Sequence, residues 1–179
     1  MLHTTVAMLL AVFSFAVGEK PMDGIRELTV YRPHTLEIST NATPCVLFEN
    51  ETRVDSLISY AHKFLGYKYV HGGTTPRGFD CSGFVYYVYN SLEFSMPRVS
   101  SEMVKLGHEI EKDEIAKGDV IFFKPTGGGK RIGHVGIAIN EPGEPVKFIH
   151  ASTYKTGVKL SSLDEGKYPQ RYITARRYL

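Results

Sequence analysis

Tryptophan is absent from the 179 residues, and cysteine occurs only twice, at Cys45 and Cys81. Without an indole platform for stacking on sugars, 11 Tyr and 10 Phe carry all of the aromatic surface, which disfavours a pure carbohydrate-binding protein. Two cysteines cannot build a disulfide framework, and their separation is not the C-x-x-C spacing of metal and redox sites. Charge of one sign is lacking as well. The 21 Lys+Arg against 19 Asp+Glu leave +2, too little to hold a nucleic acid electrostatically, so no nucleic-acid partner is expected. The apolar run Val6–Val17 is about 12 residues, where a bilayer span needs roughly 20. What remains is an apolar share of 42% and a charged share of 22%, ordinary values for a globular chain with a real core. Disordered, collagen-like and coiled-coil readings are excluded, and the length suits one domain with modest extensions.

The run Val6–Val17 ends at Gly18-Glu19-Lys20-Pro21 and fits the apolar segment of a secretory signal, with small residues Ala16 and Gly18 at cleavage spacing. Residues 1–18 are therefore expected to be an export signal, giving a secreted or wall-associated product with no stable membrane insertion after cleavage. Residues 19–52 read as an N-terminal extension or pro-segment. Within them, residues 25–31 and 35–39 alternate like two short strands around Pro33-His34. Two N-x-[ST] sequons, at Asn41 and Asn50, are expected in a surface loop. From residue 53 to 179 the pattern becomes that of the main domain. Val54, Leu57, Ile58, Ala61 and Leu65 recur at helical steps, which predicts a helix over Thr52–Leu65 closed by Gly66. A Gly-rich loop, Tyr67–Asp80, leads into a second helix from Cys81 to about Leu92, with Cys81, Val85, Val88 and Leu92 as its inner stripe and Phe84 beside it. A short helix is expected around Ser100–Leu106. Strand-like runs then follow at Asp119–Lys124, His134–Ile139, Val146–Ala151 and Arg171–Ala175, with turn signals at Thr126–Gly129 and Asn140–Gly143. Helices first and an antiparallel meander afterwards define an α+β order.

Cys81 is the position with the clearest chemical potential. At a helix start, backbone amides and the helix dipole favour an anion, and the thiolate is the nucleophilic form of cysteine. Packing as a small apolar residue is the plain alternative. His134 and His150 lie at or near strand ends, where antiparallel neighbours could bring both imidazoles beside that helix start. One would serve as base and the other would hold the base in its working tautomer. The remaining histidines, His3, His34, His62, His71 and His108, are expected in loops or at the surface. A zinc site from Cys81, His134 and His150 is conceivable chemically, but three scattered ligands without local pairs are a weak metal signal, and no metal or cofactor is expected. Residues Thr126–Arg131 lack the spacing of a phosphate-binding loop.

The stretch Tyr67-Lys68-Tyr69-Val70-His71-Gly72-Gly73 leading into Gly78-Phe79-Asp80-Cys81-Ser82-Gly83-Phe84-Val85 resembles the signature of NlpC-type cell-wall endopeptidases. The blocks Met96–Ser100, Lys117–Phe123, His134–Ile139 and His150-Ala151-Ser152 resemble it in the same order. The resemblance implies a papain-like α+β fold, with N-terminal helices on an antiparallel sheet and a Cys-His-His site. In it Cys81 is the nucleophile, His134 the base and His150 the residue orienting that base. Tyr69 matches a tyrosine facing the cleft, where it would position substrate or steady the oxyanion. Asp80, Ser82 and Ser100 match positions lining the substrate subsite. Their simpler roles are helix N-cap for Asp80, first-turn filler for Ser82 and cap of the next helix for Ser100. Arg98 would make a structural ion pair.

The implied activity is that of a monomeric, secreted thiol protease. It would hydrolyse amide bonds in peptidoglycan stem peptides, typically between D-glutamate and the diamino acid, through a thioester. Alternatives on the same thiol are an amidase at the muramyl–alanine bond or an acyltransferase, and outside catalysis a wall-binding pseudoenzyme. This sequence departs from the family pattern at Val99 and Met103, where polar residues are frequent, and at His71, where Trp is frequent. The segment 19–51 is too short for the SH3-like targeting domain that many relatives carry. In an oxidising compartment Cys45 could pair with Cys81 and hold the enzyme latent, the plainer reading being a buried free thiol.

Overall fold

The computed structural model describes residues 44–179, with side chains described from Thr52 onward. The expected export segment, the strand-like runs at 25–31 and 35–39, the Asn41 sequon and the Cys45 side chain lie outside the described residues. In chain order the elements begin with α1 (Pro44–His62), the two-residue strands β1 (Thr74–Thr75) and β2 (Gly78–Phe79), α2 (Cys81–Asn90) and α3 (Ser100–Met103). There follow β3 (His108–Ile110), a 3-10 turn at Lys112–Glu114, β4 (Val120–Phe123), β5 (His134–Ala138) and β6 (Lys147–Ala151). The chain closes with β7 (Val158–Ser162), α4 (Tyr168–Arg171) and β8 (Tyr172–Arg177). β1 and β2 form a small antiparallel hairpin, and the remaining strands form one antiparallel sheet in the order β3-β8-β4-β5-β6-β7. The α+β architecture expected from the sequence is the one observed.

Period-two alternation divides the sheet's side chains between two faces. Val120, Phe122, Val135, Ile137, Ile149 and Ala151 pack against the helices, with Phe84, Val85, Val88 and Tyr89 of α2 and Leu57, Ala61 and Phe64 from α1 and the turn after it. Ile121, Phe123, Ala138, Phe148 and Ala175 fill the second face under Ile115 and Leu163, with Tyr168 and Tyr172 at its margin. Every residue of β4 and β5 is buried, as strands covered on both sides require.

Several elements differ from the expected ones. α1 begins at Pro44 rather than Thr52, so Asn50 lies in a helix and not in a surface loop. Its regular part ends at His62. The bonds from Lys63 N to Tyr60 O, Phe64 N to Ala61 O and Leu65 N to His62 O then tighten the chain into three-residue turns. Gly66, at φ +81°, stops it and donates to Val158 O at 2.8 Å. This tightening turns Phe64 inward and leaves Leu65 40% exposed, the reverse of the expected stripe. In α2, Tyr89 replaces Leu92 as the buried residue of the last turn, its hydroxyl donating to Gly118 O. The sheet is not a plain meander, because β8 returns to lie between β3 and β4.

Candidate active site

The Gly-rich loop is tied to the start of α2 by one carboxylate. Asp80 takes the N-cap conformation, φ −91° and ψ 177°, and its Oδ1 accepts from Gly83 N at 2.7 Å. Oδ2 accepts from Gly72 N at 2.9 Å and from Arg98 Nη2 at 2.6 Å, while Arg98 Nη1 donates to Ser82 Oγ at 2.8 Å. Asp80 N also donates to Gly73 O at 3.0 Å, and Gly83 packs so closely on that same carbonyl that a Cβ has no room there. The cap on Asp80 and the Arg98 ion pair are thus both present. Ser100 is the first residue of α3, whose N-cap is Val99, so it does not cap the helix.

Cys81 is a half-buried free thiol at the first position of α2. Burial pushes the thiol up, and the neighbouring Asp80 carboxylate adds to the effect. The backbone amides of Ser82 and Val135, and that of Cys81 itself, pull the other way without reversing it. The helix start therefore does not make a resting thiolate, contrary to the expectation from the dipole alone. The Val135 amide matters for geometry too, because it places the sulfur against β5 one residue after His134.

His134 and His150 come together. Antiparallel pairing of β5 with β6, Ile137 opposite Ile149 and Ala138 opposite Phe148, brings the His134 end of one strand to the His150 end of the other. His134 Nε2 and His150 Nδ1 are 2.7 Å apart, and both imidazoles are buried among Phe123, Phe148 and Tyr168. They stand on the sheet face opposite the α2 packing surface, at its edge. His150 Nε2 lies 3.0 Å from Ser161 Oγ on β7 and 3.4 Å from the Tyr168 hydroxyl. Burial pushes His134 down to about 3, with the Arg171 charge adding to it. His150 is likewise held well below the usual imidazole range by burial and by its charged neighbours. Both rings are neutral. Since two of their nitrogens face each other at hydrogen-bond distance, they are not aimed at a common ion, and among the described residues no three His, Cys, Asp or Glu gather as metal ligands.

Tyr69 is half-buried, its ring edge-on to the exposed Tyr154 at 4.9 Å between centroids. Burial, followed by the charges of Cys81 and Asp80, pushes its hydroxyl up, so it stays protonated as a donor beside the thiol. Ser161, Tyr168 and Tyr154 were not among the residues singled out in the sequence. The one available signal was weak, the alternation Val158-Lys159-Leu160-Ser161, which marks β7 as a strand that β6 could pair with.

The fold and this grouping define a class: α+β proteins with a cysteine at a helix start against a strand that carries a histidine. A family model described as the NlpC/P60 family matches residues 66–177. The chain belongs to the NlpC/P60 family, a cysteine peptidase family of peptidoglycan endopeptidases. It is 39% identical over 132 residues to the probable endopeptidase NlpC of Escherichia coli, covering 73% of this chain and 82% of that one. It is 35% identical over 125 residues to the gamma-D-glutamyl-L-lysine dipeptidyl-peptidase of Bacillus cereus. That match covers 70% of this chain and only 36% of the relative, so the chain spans about a third of that protein's length. The crystal structure of an NlpC/P60 family protein from Bacillus cereus superposes with a TM-score of 0.65 at 35% identity, covering 70% of this chain and 40% of that one.

Proposed function

We propose that this protein is a secreted cysteine endopeptidase that hydrolyses amide bonds in peptidoglycan stem peptides, between D-glutamate and the diamino acid. The observation that carries the reading is the buried 2.7 Å contact between His134 Nε2 and His150 Nδ1. With Nε2 engaged, His134 has only Nδ1 left to meet a thiol. When His150 donates from Nε2 to Ser161 Oγ, its own Nδ1 accepts from His134 Nε2–H, and His134 Nδ1 keeps the lone pair a base needs.

Thiol and imidazole both rest neutral, so the reaction begins with transfer of the Sγ proton to His134 Nδ1 as sulfur attacks the scissile carbonyl. The oxyanion would take hydrogen bonds from the Cys81 backbone N–H and the Tyr69 hydroxyl. His134 then returns the proton to the departing amine and the thioester forms. Deprotonation of a water by His134 and attack on the thioester release the acid and restore the thiol. Asp80, Ser82 and Arg98, joined by hydrogen bonds, would form a polar wall beside the acyl part, and the resemblance adds Ser100 to that subsite. The bond assigned agrees with the name of the Bacillus cereus relative, a gamma-D-glutamyl-L-lysine dipeptidyl-peptidase. Export rests on the apolar run Val6–Val17.

The test is product analysis by mass spectrometry on purified peptidoglycan. The wild type should release fragments ending in D-glutamate, whereas Cys81→Ala and His134→Ala should release none. Cleavage at the muramyl–alanine bond would make the protein an amidase, and full activity in either variant would overturn the assignment.

A further inference from the structure

We propose that a cleft beside His134, lined by Arg171 and Lys167, is a subsite for a carboxylate on the leaving side of the substrate. The inference rests on the peptidase reading above and specifies which leaving residues the site accepts. The cleft has a volume of about 260 Å³, and its lining includes His134, Lys167 and Arg171 together with the hydroxyls of Thr126, Ser152 and Thr153. Cys81, Tyr69, Asp80 and Arg98 do not line it. A pocket that holds the donor to the departing amine, but neither the nucleophile nor the acyl-side wall, receives the part of the substrate that leaves.

The chemistry of that part follows from the charges. Among the described residues neither Arg171 nor Lys167 is in an ion pair, whereas Arg98, Lys105, Lys117, Arg176 and Arg177 each have a carboxylate partner. Arg171 is nonetheless held in place. Its Nε donates to Lys124 O at 2.9 Å and its guanidinium lies 6.0 Å over the Tyr168 ring. Nε faces the backbone, so the two terminal nitrogens remain, which suits a two-pronged grip on a carboxylate. No Asp or Glu occurs between Val120 and Asn140 or between Pro145 and Leu163, and Asp164 and Glu165, on the turn before Lys167, form no ion pair with either cation. An unneutralised cation beside a base opposes that base, and the Arg171 charge adds to burial in holding the His134 imidazole down. A bound carboxylate would cancel this field when the base is needed, so the right leaving group would strengthen the group that releases it.

The test uses L-alanyl-γ-D-glutamyl peptides that differ only in the leaving residue. Diaminopimelate against lysine, both with the α-carboxyl amidated, reads a carboxylate at the side-chain end. Lysine against lysine amide reads an α-carboxylate. In the wild type the acid of one pair should be cleaved with a kcat/KM about 10- to 100-fold above its uncharged counterpart. Arg171→Met and Lys167→Met should bring that ratio toward one, and Arg171→Lys should keep part of it. A wild-type ratio near one in both pairs, or variants that slow acid and uncharged peptides alike, overturns the subsite and leaves the peptidase reading intact. Binding is followed separately by calorimetry with diaminopimelate and lysine amide on Cys81→Ala protein, with and without Arg171→Met. Arg171-dependent binding of diaminopimelate without cleavage of any peptide would sink the peptidase reading and keep a carboxylate site; neither binding nor cleavage would end both.

Discussion

Acidification should destabilise this fold in a pH range where carboxylates are still ionised. An unfolded histidine titrates near 6.5. In the native state His134 is pushed down to about 3 by burial, and His150 is held well down by burial and its charged neighbours. Below 6.5 the unfolded chain therefore takes up protons that the native pair refuses, so stability rises with pH and is lost on acidification. From pH 7.5 to pH 5 each ring contributes a loss of about 2 kcal/mol, about 4 kcal/mol for the pair. At roughly 2–4 °C per kcal/mol for a chain of this size, Tm should fall by on the order of 10 °C. Thermal unfolding followed by circular dichroism across that range measures it directly. The control is the double variant His134→Gln, His150→Gln, in which most of the slope should vanish. A flat wild-type Tm between pH 7.5 and 5, or an equal slope in the double variant, would refute the view that the pair is buried neutral.

Two further outcomes follow from contacts around the site. Ser161→Ala removes the 3.0 Å partner of His150 Nε2 and leaves only the longer contact to Tyr168, so kcat on stem peptides should drop by about tenfold with KM little changed. Ser161→Thr should restore it, and an unaltered kcat in the alanine variant would remove Ser161 from the positioning chain. Arg98→Met strips the ion pair from Asp80 and leaves an uncompensated carboxylate beside Cys81, so the thiol pKa should move up and alkylation by iodoacetamide at pH 7 should slow. Adding Asp80→Asn should reverse the shift, and an identical alkylation profile in all three proteins would show that the Asp80 charge does not reach the sulfur.

The α+β order, the start of α2 at Cys81 and the Asp80 cap were legible because each has a local signature: helical periodicity, a Gly-rich loop before an apolar face, and Asp at the N-cap. The loop between β4 and β5 and the turn between β5 and β6 were legible from their glycines and proline. β3 and β7 were not. β3 has three residues and lies at the sheet edge, and β7 alternates too weakly, with Leu160 45% exposed, for a strand to stand out. β8 ran past its expected end because Arg176 and Arg177 read as a polar terminus, while in the fold they pair with Glu109 and the buried Asp119. The pairing of His134 with His150 was expected as a juxtaposition, yet its outer partners on β7 and α4 depend on strand register, which no local pattern encodes. The thiol was expected to be acidic from its helix position. Burial and the adjacent carboxylate outweigh the helix amides, and both are properties of the assembled site.

The close packing of Gly83 on the Gly73 carbonyl bears on how the sulfur is aimed. An added carbon at position 83 would collide with that carbonyl and crowd Asp80 Oδ1, so only glycine lets the first turn of α2 sit this close on the loop. The direction of the Cys81 side chain is therefore set as in a keyed shaft, by the shape of the seat beneath it. The fourth letter of Asp-Cys-Ser-Gly touches no reacting atom, yet it lets the helix that carries the thiol seat against the loop. Replacing it with alanine would misdirect an otherwise complete set of catalytic groups.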